Sequence, residues 1–355
     1  MTTITASPPR TDSRWPDRLA PLAAGWLGLW GVLALIGTLT GAGYPFGPNE
    51  RRGGDDNLLH LVPVDLATPL FAGVLLTAAV VALAMTRPSG RPPGPLRALL
   101  VGYGWAVALV LAVVVPDTRV LVILGYLPIL IIGAPFGWPP VDYADVFTWA
   151  LFARFAALAG GLLLAGAVLA WQRRTAGACV GCGRGGTDRG WTTPAAAARW
   201  GRWAVGIAAV IPLMYALTRF AWAVGIPFGI SREFLTELQD TGLVWAGLGL
   251  GAFATVGSIL TLGLVQRWGE RFPRWMIGLA GRRVPVKLAV VPATLVAIAV
   301  TAASLGMIGQ PEFWTGIDLA GIPQRLWPVW GVALGAATYA YHLRRRGTCR
   351  RCDRG

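Results

Sequence analysis

Charge is scarce in this chain. Only 14% of its 355 residues are Asp, Glu, Lys or Arg, against roughly a quarter in a soluble domain. Lysine is nearly missing: Lys287 is the single one, and arginine supplies the rest of the basic charge. Histidine occurs only at His60 and His342. No Gly-x-x-x-x-Gly-Lys-Ser/Thr, His-Glu-x-x-His or Gly-x-Ser-x-Gly occurs. The phosphate cradle, the zinc-protease ligand pair and the nucleophile elbow that mark common hydrolases are therefore excluded. Acids and histidines are also scarce inside the apolar segments, which argues against a proton- or ion-coupled pump.

What fills the chain instead is apolar: 55% of residues are hydrophobic and 17 are tryptophan. Eight apolar segments of bilayer-spanning length lie at about 21–42, 66–86, 98–115, 148–171, 203–224, 241–265, 288–309 and 326–343. Many tryptophans sit near their ends, where an amphipathic ring anchors at the membrane–water interface. The fold class is an all-α polytopic membrane protein. A further apolar stretch, Val120 to Gly133, has 14 residues and an internal proline, Pro128. It reads as a non-spanning, re-entrant or interfacial segment.

Charge placement sets the expected topology. With eight spans and both termini inside, the inner segments hold 24 of the 31 basic residues and 5 of the 17 acids, a net +19. The rest holds 7 basic residues and 12 acids, a net −5. A ninth span at 120–133 would put two basic loops on opposite sides and spoil this positive-inside bias. The N-terminal segment, with both acids and arginines and no clear cleavage site, reads as an uncleaved cytoplasmic tail. Arginine in place of lysine, with abundant alanine, glycine and valine, fits a high-GC bacterium and hence a bacterial inner membrane. The basic loops then face anionic lipid headgroups. They lack the interleaved aromatics of a single-strand nucleic-acid binder, so the expected partners are the bilayer and a membrane or cytoplasmic protein.

The ordered features repeat. Gly43-Tyr44-Pro45-Phe46-Gly47 closes the first span, and Gly225-Ile226-Pro227-Phe228-Gly229 the fifth. Arg51 or Arg232 follows, then Asp55 and Asp56 or Glu233 and Glu237. An aspartate comes next at the expected N-cap of the following helix, Asp65 or Asp240. Each half continues with a basic inner loop (Arg87 to Arg97, Arg267 to Lys287) and a fourth span entered behind Arg154 or Arg325. The expected organisation is a tail at 1–20, a first four-helix unit at 21–186, a linker at 187–202 and a second unit at 203–355. Four spans per unit is even, so the copies are parallel, related by an axis along the membrane normal. A third Pro-Phe-Gly at Pro135 fits no repeat position, so the tripeptide alone carries little weight.

Each unit finishes in arginines and a Cys-x-x-Cys: Cys179 and Cys182, then Cys349 and Cys352, with no cysteine left over. The two-residue spacing and the glycines Gly181 and Gly183 resemble zinc-ribbon knuckles over about eight residues each. Four thiolates on a reducing cytoplasmic face imply one structural zinc rather than a disulfide, and nearby arginines favour the thiolate. A redox role is the alternative. Quinone-linked membrane thiol oxidoreductases also use four-helix units and Cys-x-x-Cys, but with outer dithiols, and this chain has no outer cysteine. Inert cysteines are the third reading; His342, seven residues before Cys349, could substitute as a ligand but reads better as a membrane-interface histidine without metal.

Two arginines within spans, Arg219 and Arg154, are candidates for a cavity or a functional role, although either side chain can snorkel to the outer interface. For Arg154 and Arg325 a positional role is preferred. His60, with Asp65 five residues on, reads as a solvated loop histidine. Pro212 and Pro292 would kink their spans, and spacings such as Gly247 to Gly251 report close helix packing. Together these features point to a non-enzymatic small-solute transporter, or a regulatory or structural membrane partner, with a cytoplasmic four-cysteine zinc site. The alternative class is a membrane thiol–disulfide oxidoreductase.

Overall fold

A backbone surrounded by hydrocarbon must satisfy its N–H and C=O groups internally, and these Ala-, Leu-, Gly- and Val-rich segments do so as helices. The computed structural model describes residues 15–42, 44, 58–87, 94–136, 142–185, 190–274, 276–310, 313–315, 319–349 and 351–354. The first half contains α1 (Trp15–Thr40), α2 (Val64–Ala84), α3 (Gly94–Leu109), α4 (Thr118–Gly133), the one-turn α5 (Tyr143–Val146) and α6 (Trp149–Thr175). The second contains α7 (Pro194–Ala223), α8 (Arg232–Asp240), α9 (Leu243–Leu262), α10 (Val286–Ile308), the one-turn α11 (Ile322–Arg325) and α12 (Trp327–Arg345). Among the described residues, seven helices are long and apolar enough to cross a bilayer. Their outward faces are apolar, with Leu39, Val80, Leu99 and Trp203 all strongly exposed, as lipid contact requires. The chain is a helical integral membrane protein.

The eighth expected span, 326–343, forms α12. Its tryptophans and tyrosines and the terminal His342, Arg344 and Arg345 make it less apolar than the seven. The helices also extend past the expected spans: α1 begins at Trp15, within the expected tail, and α7 begins at Pro194, within the expected linker.

Both halves use one packing order. In the first, α1 lies on α2 and α6, and α3 lies on α6; in the second, α7 lies on α9 and α12, and α10 lies on α12. Small residues let the backbones approach, as is usual between helices in lipid. A Cβ added to Gly161 of α6 would lie 2.8 Å from the amide nitrogen of Ala112 and 2.9 Å from the carbonyl oxygen of Ala108. One added to Gly201 of α7 would lie 2.6 Å from the Ala340 Cβ in α12.

The Val120–Gly133 stretch is α4, and it continues α3 rather than doubling back. Gly104 of α3 faces Val168 of α6, and Ala112 faces Gly161. Beyond the break, Val120 clusters with Leu158, and Ile123 and Leu130 cluster with Leu151. The partners on α6 thus fall steadily from 168 to 151 while the first chain advances. A π-helical turn at Val110–Val114 precedes the break, and Pro116 stands in it, removing a backbone donor. The two halves of the molecule meet here, where α10 packs on α4 and on the π turn.

The expected caps are corrected. Asp65 lies inside the first turn of α2, whose N-cap is Pro63 with no side-chain cap bond. Asp240 ends α8, and Gly242 in the left-handed region (φ 73°) is the N-cap of α9. The amphipathic α8, capped by Ser231, occupies the loop between α7 and α9. Pro212 and Pro292 lie inside α7 and α10. Pro45, Phe46, Gly47, Arg51, Asp55, Asp56 and the side chains of His60 and Pro128 lie outside the described residues.

Close approach at Gly161 gives a direct test. Gly161→Leu should destabilise the protein by about 1–3 kcal/mol through overpacking. Gly25→Ala in α1, where nothing stands within 4 Å, should be neutral or better. Thermal unfolding in detergent reads both; equal midpoints for the two variants would refute the packing.

Candidate metal centre and a buried ion pair

α6 and α12 each deliver a knuckle just past their arginine-rich ends. After α6, Gly177 turns the chain with φ 70°, and Cys179 to Arg184 fold into a tight loop. The Cys179 N–H donates to the Arg184 carbonyl (2.8 Å), and the Gly183 N–H donates to the Cys179 carbonyl (2.7 Å). After α12 the same bonds recur: Cys349 N–H to Arg354 carbonyl (3.0 Å), and Asp353 N–H to Cys349 carbonyl (2.7 Å). Both loops need a left-handed residue directly after the second cysteine. Gly183 supplies it at φ 74° and Asp353 at φ 55°, and aspartate is among the few side-chain-bearing residues that adopt this conformation readily.

The two knuckles bring all four sulfurs together. The Sγ atoms of Cys179, Cys182, Cys349 and Cys352 all lie within 4.8 Å of one another. The Cys179–Cys349 separation is 3.9 Å and the Cys182–Cys352 separation 3.5 Å. A tetrahedral zinc site with Zn–S bonds of about 2.3 Å has sulfur–sulfur edges of about 3.8 Å, so the donor set fits that group. All four thiols are free and half-buried. Gly181 is close-packed against the site, its would-be Cβ 3.6 Å from the Cys349 Sγ.

Arginines brace this cluster. Arg173 Nη1 donates to the Val180 carbonyl (2.9 Å) and the Gly181 carbonyl (3.3 Å). Arg184 crosses between the knuckles, donating to the carbonyls of Gly347 (3.0 Å), Arg346 (3.2 Å) and Arg354. Arg351 pairs with Asp17 at the start of α1 (3.3 Å), tying the second knuckle to the N-terminal helix. Burial pushes the Cys182 thiol up to about 12. At Cys179 burial also acts upward, but the backbone N–H groups of Cys182 and Gly181 and the neighbouring thiols outweigh it and bring the group down to about 7. The backbone N–H of Arg351 chiefly lowers Cys349. A cavity of about 380 Å³ beside it is lined by Arg173, Cys182, Trp191, Tyr339, His342 and Arg346. His342 lines that cavity and stands outside the four-sulfur group.

Arg154 is not a snorkelling residue. Its side chain is 1% exposed, and its Nε lies 2.6 Å from Asp117 Oδ2, itself 0% exposed. Asp117 also accepts the Arg119 N–H on Oδ1 (3.0 Å), and its carbonyl accepts the Val120 N–H (3.1 Å), so it caps α4 at the break. Sequence reasoning passed over Asp117 as one more outer acid. Its place directly after a proline, between two apolar runs too close for a real loop, was the signal. Arg325, at the end of α11 just ahead of α12, donates to the Thr315 carbonyl (2.9 Å) and lies 6.0 Å from the Phe313 ring centre.

Arg219 is placed by aromatic faces. Its guanidinium lies 4.1 Å from the Trp222 ring centre and 4.5 Å from that of Tyr215, both favourable for a desolvated cation. Gly247 and Gly251 of α9 leave room for its stem, with would-be Cβ atoms 3.6 and 3.1 Å away. The Gly247–Gly251 spacing therefore does serve helix contact.

No protein-family model matches this chain, nor does any curated protein or solved structure.

Removing one partner of a buried ion pair strands the other charge, at a cost of about 3–5 kcal/mol. Arg154→Leu and Asp117→Leu should each destabilise on that scale, while the double variant should cost much less than their sum. Unfolding free energies in a double-mutant cycle read this, and strict additivity would refute the coupling.

Proposed function

We propose that the protein is a non-enzymatic membrane partner, structural or regulatory, built from two parallel four-helix units. One zinc ion on Cys179, Cys182, Cys349 and Cys352 clamps their cytoplasmic ends. The convergence of four sulfurs, from positions 170 residues apart, within 4.8 Å carries this reading. Zinc held by four thiolates supplies charge and a fixed tetrahedral geometry, with no open position for a substrate. Arg173 and Arg184, bonded to the knuckle backbones, offset the net negative charge of such a centre.

Two observations support the duplicated organisation: the shared packing order and the matching knuckle bonds. On this reading α12 is the eighth span, both termini lie in the cytoplasm, and the knuckles face the reducing, positively charged side. The alternative redox role is less well supported. The Cys182–Cys352 approach of 3.5 Å joins different pairs, whereas a Cys-x-x-Cys redox cycle closes a bond within one pair.

The apolar contact between the units favours a structural or regulatory partner over a transporter. Ala112, Val120 and Leu124 cluster there with Ile298 of α10. The transport reading keeps one observation in its favour. The α3–α4 break with its buried Asp117–Arg154 pair adjoins that contact, and discontinuous helices at a repeat interface are where transporters place substrate sites.

Metal analysis of the purified protein tests the clamp. Wild type should carry about one zinc per chain, as a four-thiolate site requires, and a variant with all four cysteines changed to serine should carry none. Equal zinc in the two would sink the proposal.

A further inference from the structure

The second unit holds a large apolar cavity at the end of α9 and the start of α10. Because α9 packs on α7 and α10 packs on α12, a gap is left between them. Its volume is about 520 Å³, within the roughly 300–1,000 Å³ of small-molecule pockets. Leu260 and Leu264 form one wall, and Ala289, Ala293 and Val296 the other.

The roof is a built one. The connection from α9 to α10 folds as a short hairpin: Phe272 N–H donates to the Arg282 carbonyl, Gly281 N–H to the Phe272 carbonyl and Val284 N–H to the Glu270 carbonyl, each at 3.0 Å. α12 fastens it from behind. Tyr341 donates to the Gly269 carbonyl (2.9 Å), Arg345 to the Val284 carbonyl (3.2 Å), and Arg344 pairs with Glu270 (3.5 Å). Trp268, Phe272 and Met276 thereby line the cavity from the loop side.

The outer surface of the same hairpin is cationic. Arg267, Arg271, Arg274, Arg282, Arg283 and Lys287 are all exposed, and the one acid of the loop, Glu270, is engaged by Arg344. The bridge between Arg271 and Arg283 sets two arginines side by side. Like charges facing one another across a strand pair repel, unless an anion lies between them. At the hairpin tip Ile277 is 99% exposed and Leu279 is also exposed, an apolar edge suited to the headgroup–acyl boundary.

We infer that this cavity and hairpin form a site for one anionic phospholipid, with an acyl chain between α9 and α10 and the phosphate on Arg271, Arg282 and Arg283. Charge complementarity and continuity with the bilayer select this occupant over a soluble apolar molecule. The inference rests on the membrane reading of the helices and is independent of the zinc clamp, whose failure metal analysis would show separately.

The full-length protein, purified in detergent, is titrated with phosphatidylglycerol or with phosphatidylcholine of the same chains, and bound lipid is counted by native mass spectrometry. Each basic residue near an anionic lipid surface contributes about 1 kcal/mol, so wild type should prefer phosphatidylglycerol by about tenfold or more. The triple variant Arg271→Gln, Arg282→Gln, Arg283→Gln should bring the two lipids to within about twofold. Ala293→Phe, which fills the cavity, should abolish the tight site for both. Glycerol phosphate at the same concentration should leave bound lipid in place. Equal retention of the two lipids by wild type, or a neutral quinone retained instead, would overturn the inference. The exposed arginines make the triple variant decisive even where Ala293→Phe fails to fold.

Discussion

The convergence of four thiols is the constraint to which the knuckle-bearing end of the molecule is built. Each knuckle is a loop of six residues with little apolar surface of its own, so its shape rests on backbone hydrogen bonds and on what surrounds it. Those surroundings are arginines that donate to carbonyls: Arg173 onto the first knuckle, and Arg184 from the first knuckle onto the second. With the sulfurs at 3.5 and 3.9 Å, a tetrahedral metal would close the set with little rearrangement. The ends of α6 and α12 are then fixed relative to each other.

Within the bilayer a different rule governs. Burying apolar surface gains little when lipid is equally apolar, so small residues and polar contacts decide which helices associate. Gly161 against α3 and Gly201 against α12 follow from this. So does the Asp117–Arg154 pair, whose two charges share a break in the α3–α4 path beside the opposite unit. The break has a local cause in Pro116 and the π turn, and the Asp117 carboxylate gives the Arg119 N–H and the buried Arg154 guanidinium a common partner.

The halves are alike in packing order and in knuckle geometry but not in these polar details. The first has an acid for its span-entry arginine, whereas the second gives Arg325 a backbone carbonyl and an aromatic ring. The second has a roofed apolar cavity between its middle helices, while α2 and α3 of the first touch directly.

Class and chemistry were legible in the residues. Low charge and runs of span length require a helical membrane protein, because hydrocarbon leaves the backbone no other partner. Paired Cys-x-x-Cys motifs mark the knuckles, and Gly183 marks the first further, because the turn after the second cysteine needs a left-handed residue; the second motif puts Asp353 there. Other features were not legible, since they depend on residues distant in sequence. Asp65 and Asp240 looked like caps, but where a helix starts is settled by how its neighbours pack, and the caps fell to Pro63 and Gly242. Arg154 looked able to reach water until folding set Asp117 against it. The sequence by itself determined what each segment had to be in a bilayer and which side chains could ligate. Only the tertiary structure decided that sulfurs 170 residues apart share one site, that α4 prolongs α3, and that a basic loop roofs an apolar cavity. Meeting distances are set by packing across the whole chain, and no local pattern records them.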